Sequence, residues 1–219
     1  MDRRGGCEFP SPVAFFPLRW YDYAMEQLKE RIRTDGEVLP GNILKVSGFL
    51  NQQLDIALID LIGKEIARRF NTAPITRILT IEASGIAVAA ATARAFGDRG
   101  AVPPVVIAKK SRGGNLTEDV YSVPVHSFTQ DRDYLIVVSR RYLGRDDRVL
   151  LVDDFLAAGC ALEGLAALCK QAGSAVAGAG VVIEKGFQEG GARLRKGGLR
   201  IESLAVIKGM SVETGVEFA

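Results

Sequence analysis

From Pro74 onward, short unbroken apolar runs alternate with segments of helical spacing, and this alternation narrows the fold more than any other feature of the chain. Residues 77–81, 105–108, 149–152, 175–183 and 199–207 read as strands. Between them, 85–96 is an alanine-rich helix, 160–172 carries Leu162, Leu165, Ala166 and Cys169 at helical spacing with Gly173 placed as a cap, and 188–197 reads as a short helix. Residues 120–128 and 134–139 suit the two strands of a hairpin, separated by polar residues. Strands that are apolar throughout, rather than alternating, are buried on both faces. The expected class is therefore α/β, with a mainly parallel central sheet flanked by helices. Ligands of such sheets gather where strands end and helices begin, which directs attention to the loops after Ile81, Ala108, Val152 and Ile183.

Upstream of Pro74 the pattern is less regular. Residues 24–34 predict an amphipathic helix closed by Gly36. Val38-Leu39 and 43–46, around Pro40-Gly41-Asn42, predict a small hairpin lobe. Asp55 opens a helix reaching about Phe70, with Ile56, Ile59, Ile62, Gly63 and Ile66 on one face. Residues 1–24 do not read as a signal peptide, because Pro10, Pro12 and Pro17 break the apolar run and no small-residue cleavage pattern follows. Met25, where a good helix pattern begins, is the expected functional start, with 1–24 a disordered extension or a mis-assigned start and 25–219 one domain.

Charge balance excludes several classes. Lys and Arg number 28 against 26 Asp and Glu, so no strong basic field argues for nucleic acid or an anionic membrane. No apolar run is long enough to span a bilayer. Three cysteines are too few for a disulfide framework, and a cytoplasmic protein with reduced thiols is expected. A single histidine, His126, excludes zinc sites with several histidine ligands.

The segment that carries chemistry runs from Val149 to Ala161: a buried strand, then Asp153-Asp154, then Phe155-Leu156-Ala157-Ala158-Gly159-Cys160-Ala161. Small side chains let backbone N–H groups approach an anion, and a helix N-terminus adds unpaired donors and a positive dipole end. Two carboxylates beside it can accept the O–H donors of a sugar diol. Phosphate on one side and diol on the other describe a ribose 5-phosphate. Paired aspartates at a strand end also serve as magnesium ligands, and a small-residue loop can be a mere tight turn.

This segment resembles the phosphoribosyl-diphosphate signature of type I phosphoribosyltransferases. From Met25 on, the chain is similar to their bacterial xanthine-specific branch through Val38-Leu39, 43–46, Phe49-Leu50-Asn51, 81–86, 153–157 and 182–187. The resemblance implies a type I phosphoribosyltransferase fold with a small N-terminal hood at about 36–52, and a homodimer. It implies transfer of a 5-phosphoribosyl group from phosphoribosyl diphosphate to N9 of xanthine, with Mg2+ carried by the diphosphate and no metal held directly by protein. Asp153 and Asp154 would then be catalytic and meet the ribose hydroxyls, and Ala157, Ala158, Gly159, Cys160 and Ala161 would hold the 5-phosphate. Ser84 and Gly85 would meet the diphosphate, with Ser84 as an ordinary helix cap the competing reading. Lys109, in the basic stretch 109–115, would close over the diphosphate, or belong to a solvated loop. Lys185 would donate to the 6-oxo group of the base, and Leu44 and Asn51 would cover the base, Asn51 facing a 2-oxo group. On residues alone, Leu44 is core and Asn51 a polar helix-entry residue.

The chain departs from the family where Ala158 and Cys160 replace a usual polar residue and Gln, which removes a side-chain hydrogen bond to phosphate but no backbone donor. Another purine phosphoribosyltransferase and a non-catalytic purine-sensing regulator on the same fold are the competing functions. Lys185 argues against adenine, and residues 1–75 show no DNA-binding pattern. Gly178-Ala179-Gly180 is the nearest approach to a dinucleotide motif and lies within a strand.

Overall fold

Ile78, Leu79, Val149, Leu150, Leu151 and Val152 are wholly buried, and the strands that carry them lie at the centre of an eight-stranded sheet. The computed structural model describes residues 19–98, 100–111, 119–127 and 132–219. The chain begins with helix α1 (Arg19–Asp35), a two-strand hairpin β1 (Glu37–Leu39) and β2 (Ile43–Lys45), and a π-helical turn at Ser47–Asn51. Helix α2 (Ile56–Arg69), β3 (Arg77–Ile81), α3 (Gly85–Gly97) and β4 (Val105–Ser111) follow. Next come β5 (Val120–Ser127) and β6 (Arg132–Ser139), then β7 (Arg148–Leu156), α4 (Cys160–Ala172) and β8 (Ala175–Lys185). Helix α5 (Glu189–Lys196), β9 (Ile201–Ser211) and β10 (Gly215–Phe218) close the chain.

The strand order is β10-β9-β8-β7-β3-β4-β6-β5. The five strands from β9 to β4 are parallel to their neighbours, while β10, β6 and β5 add antiparallel edges. Side chains of successive strand residues point to opposite faces. Ile78, Leu150 and Val152 accordingly pack with Ile62 and Ile66 of α2 and with α1 and α3. Leu79, Val149 and Leu151 pack with Leu162, Leu165 and Leu168 of α4 on the other face. Each of these fully buried aliphatic side chains contributes about 1.5–3 kcal/mol. Gly63 lets α2 and α3 meet backbone to backbone, since a Cβ there would lie 2.5 Å from the carbonyl carbon of Ala91.

Most element positions agree with the sequence reading, and the differences have local causes. Helix α1 begins at Arg19 rather than near residue 24, so the expected boundary at Met25 falls inside it; residues 1–18 lie outside the described residues. Asp55 caps α2 as expected, its carboxylate accepting the Leu58 N–H at 3.1 Å. Ile56, however, is 59% exposed, because it sits in the first turn beyond the reach of the core. Strand β7 continues four residues past Val152, since Asp153 and Phe155 still pair with Val181 and Ile183 of β8. Strand β10 was not expected; the Ser211 hydroxyl accepts the N–H groups of Glu213 and Thr214 and turns the chain back onto β9.

Candidate functional site

The loop of residues 157–161 is made by the abrupt passage from β7 to α4. Gly159 has φ +89°, a left-handed conformation that glycine adopts without penalty. The Glu163 N–H bonds to the Gly159 carbonyl at 3.0 Å, so the N–H groups of Cys160, Ala161 and Leu162 precede the first intrahelical bond and face outward with the positive end of the helix dipole. Residues 157–161 line a cleft of about 540 Å3. Their other side rests on α5, where a Cβ on Gly190 would fall 2.1 Å from the Ala157 carbonyl oxygen. Arg193 of α5 donates to the Ala158 carbonyl at 2.7 Å and pairs with Glu163. Helix α5 is anchored below by Arg195, which makes two 2.7 Å bonds to the buried Glu184. Burial pushes the Glu184 carboxyl up, but the bonds from Arg195 and Ser203 outweigh it and hold it below the usual range.

Asp153 and Asp154 are each only 7% exposed. Their two carboxyl groups lie within reach of each other, where the alternation of the strand slips and Phe155 packs with the α2 side but Leu156 with the α4 side. Asp153 Oδ1 accepts the Asp154 N–H at 3.0 Å. Burial and the adjacent Asp154 hold the Asp153 carboxyl well above the carboxylate range, opposed by the charge of Lys110. Tyr134 on β6 faces the same region: burial, then Asp153 and Cys160, push its phenol up, and Lys110 Nζ lies 5.2 Å from its ring centre.

The turn after β3 reaches this region too. A Cβ on Gly85 would lie 2.1 Å from Thr80 Oγ1 and 3.5 Å from Asp153 Oδ1, so only glycine lets α3 start here. Ser84 has helical dihedral angles and makes no cap hydrogen bond; the competing reading of an ordinary cap is not the arrangement present. The Glu82 carboxylate accepts the Lys110 N–H at 2.6 Å and ties this turn to β4. Lys109 is exposed and pairs through its backbone with Val137. Lys110, on the sheet face of Val106 and Ala108, is the lysine whose charge reaches Asp153. Residues 112–115 of the basic stretch lie outside the described residues.

At the opposite end of the cleft stands Lys185, the last residue of β8. Its Nζ donates to the Asn42 carbonyl at 2.7 Å and lies 5.8 Å from the Phe155 ring centre; burial lowers its pKa. Gly41 and Asn42, with φ of +82° and +59°, form the tip of the β1–β2 hairpin, and both line the cleft with Ile43. The hairpin thus leans over the cleft as a hood. Leu44 is 7% exposed and packs into the core beneath the hood, and Asn51 is exposed at the end of the π-helical turn; neither belongs to the cleft lining.

The sequence reading missed Tyr134, Asn42, Ile43 and His126 in the lining. For Tyr134 a signal existed: Ile136 and Val138 are the buried residues of β6, and period two places Tyr134 on their face. His126, which contacts Asp133 at 2.8 Å, joins the lining from β5.

A model of the phosphoribosyl transferase domain matches residues 49–199. The chain belongs to the phosphoribosyltransferase family. It is 51% identical over 195 residues to the xanthine phosphoribosyltransferase of Bifidobacterium animalis subsp. lactis, covering 89% of this chain and 99% of that protein. It is 52% identical over 194 residues to the xanthine phosphoribosyltransferase of Brevibacillus brevis, covering 89% and 96%. The crystal structure of adenine phosphoribosyltransferase from Rhodothermus marinus has the same fold, with a TM-score of 0.67 at 22% identity over 85% of this chain and 99% of that one. The family match spans the loop 157–161, both aspartates and Lys185, whereas the hairpin precedes it.

Proposed function

We propose that the protein is a pentosyltransferase that moves the 5-phosphoribosyl group of phosphoribosyl diphosphate to N9 of xanthine, giving xanthosine 5′-monophosphate and diphosphate. One observation carries the reading: a single cleft has bare helix N–H groups at one end and a half-buried lysine under a hood at the other. The first end fits a phosphate monoester. The second fits an oxo group, because an ammonium is a donor only. The names and identity of the relatives support xanthine as the base.

In this reading 157–161 take the 5-phosphate, Asp153 and Asp154 the ribose hydroxyls, Ser84 and Gly85 the diphosphate, and Lys109 closes over it. Lys185 meets the 6-oxo group and Leu44 supports the hood. Asn51 pairs with a 2-oxo group, although it lies outside the cleft lining of this structure. Departure of diphosphate leaves cationic character at C1, and rate enhancement comes from orientation and charge stabilisation rather than a covalent nucleophile. Ionisation of Asp153, disfavoured by burial, becomes favourable when that positive charge arrives beside it. Magnesium is taken as carried in by the phosphoribosyl diphosphate, with phosphate, hydroxyl and water ligands rather than a site held directly by protein. When bound, that ion neutralises charge on the leaving diphosphate.

The proposal includes a homodimer and a cytoplasmic location with reduced thiols. No helix among the described residues is long and apolar enough to cross a membrane. The test is a panel of xanthine, hypoxanthine, guanine and adenine with labelled phosphoribosyl diphosphate, with and without magnesium. Xanthine is expected to turn over fastest, and only with magnesium; preference for adenine, or no turnover of any base, would overturn the reading.

A further inference from the structure

We infer that Arg193 is a positioning residue for the phosphate loop, acting through the peptide that joins Ala158 to Gly159. This inference rests on the proposed role of the loop. In a trans peptide the carbonyl and the following N–H point in opposite directions. Arg193 Nη2 holds the Ala158 carbonyl at 2.7 Å from the α5 side. The Gly159 N–H of the same peptide therefore points away from α5, toward the cleft that Gly159 lines. It joins the N–H groups of Cys160, Ala161 and Leu162 as a donor for an anion, although it lies outside the helix.

Three features make this a built arrangement rather than a chance surface contact. Arg193 also pairs with Glu163 in the first turn of α4, so one guanidinium links both ends of the loop-to-helix passage. Gly190 brings α5 against the loop so closely that any side chain there would strike the Ala157 and Ala158 carbonyls. Leu194 then covers Gly159, a Cβ on which would lie 3.0 Å from the leucine methyl. Loop residues 158 and 160 carry no side-chain donor beyond a thiol, which leaves peptide orientation as the chief source of affinity for phosphate. The guanidinium further places a positive charge behind the loop.

Arg193 and Glu163 are half exposed, and ion pairs of that kind add little to global stability. The variant R193A is therefore expected to fold with a nearly unchanged Tm. Titrating ribose 5-phosphate and inorganic diphosphate separately into the full chain tests the inference. R193A should weaken ribose 5-phosphate about tenfold, the order of one lost charge-assisted hydrogen bond, and leave diphosphate within about twofold. R193K keeps a charged donor for the single carbonyl and should recover most of the loss. Steady-state rates should repeat the split, with KM for phosphoribosyl diphosphate raised and KM for xanthine unmoved. Unchanged ribose 5-phosphate binding in R193A, or equal weakening of both ligands, would overturn the inference while leaving the proposed function standing. Failure of the unsubstituted protein to bind ribose 5-phosphate would remove the proposed role of the loop and the inference together.

Discussion

The two ends of the cleft are built from different materials. The anion end consists of main chain: N–H groups at the start of α4, a left-handed Gly159, and a helix packed behind on Gly190. The base end consists of side chains, with Lys185 reaching from β8 to the hood tip and Phe155 and Ile43 beside it. A backbone site tolerates replacement of its side chains, whereas a side-chain site changes its selectivity with each one. On the proposed reading, the loop can thus carry Ala158 and Cys160 and still bind phosphate, while discrimination among bases falls to a few residues at the far end.

The aspartates precede the loop on β7, buried and outside the cleft lining, and changing them should have the largest effect. Asp153→Asn with Asp154→Asn is expected to lower turnover by about 10³-fold or more, as removal of a group acting on the reacting centre does, with circular dichroism unchanged. The stability change has a definite sign. The Asp153 carboxyl is raised in the fold by burial and by Asp154, so the folded state binds more protons than the unfolded state above the ordinary carboxylate range. Stability from this group is present at low pH and is lost as pH rises through the raised pKa. Asp153→Asn removes that penalty, and thermal melts should show it gaining on the unsubstituted protein from pH 4 toward pH 8. A loss in that range would contradict the buried placement of Asp153.

At the base end, Lys185→Met should raise KM for xanthine by about 10- to 100-fold, the range for one hydrogen bond from a charged donor, with KM for phosphoribosyl diphosphate nearly unchanged. Equal rises in both would mean that the two ends are not separate. The smallest effect belongs to the loop itself. Cys160→Ser leaves the backbone donors in place and should change ribose 5-phosphate affinity by no more than about threefold. Burial and Glu163 push the Cys160 thiol upward, so alkylation at neutral pH should be slow; rapid loss of activity with iodoacetamide would show that this thiol has chemistry of its own.

The same contrast explains what could be read from the sequence. The loop was legible because its parts are contiguous: an apolar run, two aspartates, small residues, and a helix from Cys160 to the Gly173 cap, whose φ of +73° matches the expectation. Asp55 as the cap of α2 was legible for the same reason. The contacts that finish the site join distant segments. Arg193 meets the loop from 35 residues downstream, with Gly190 beside it, Tyr134 arrives from an antiparallel edge, and the Asn42 carbonyl meets Lys185 across 143 positions. Ser84 and Lys109 follow from the resemblance, Lys109 also from lying nearest the strand end, a criterion blind to which face a side chain takes. Strand alternation would have favoured Lys110, and knowing how far β4 extends was the missing fact.

Main-chain construction at the anion end also bears on inhibitor chemistry. Peptide N–H groups are alike in every protein, so a ligand gripping only that end would be an indiscriminate one across relatives of this architecture. On the proposed reading, a compound meant to single out this protein must draw its preference from the heterocycle it offers to Lys185 and the hairpin tip, with the phosphate or a mimic serving simply as ballast.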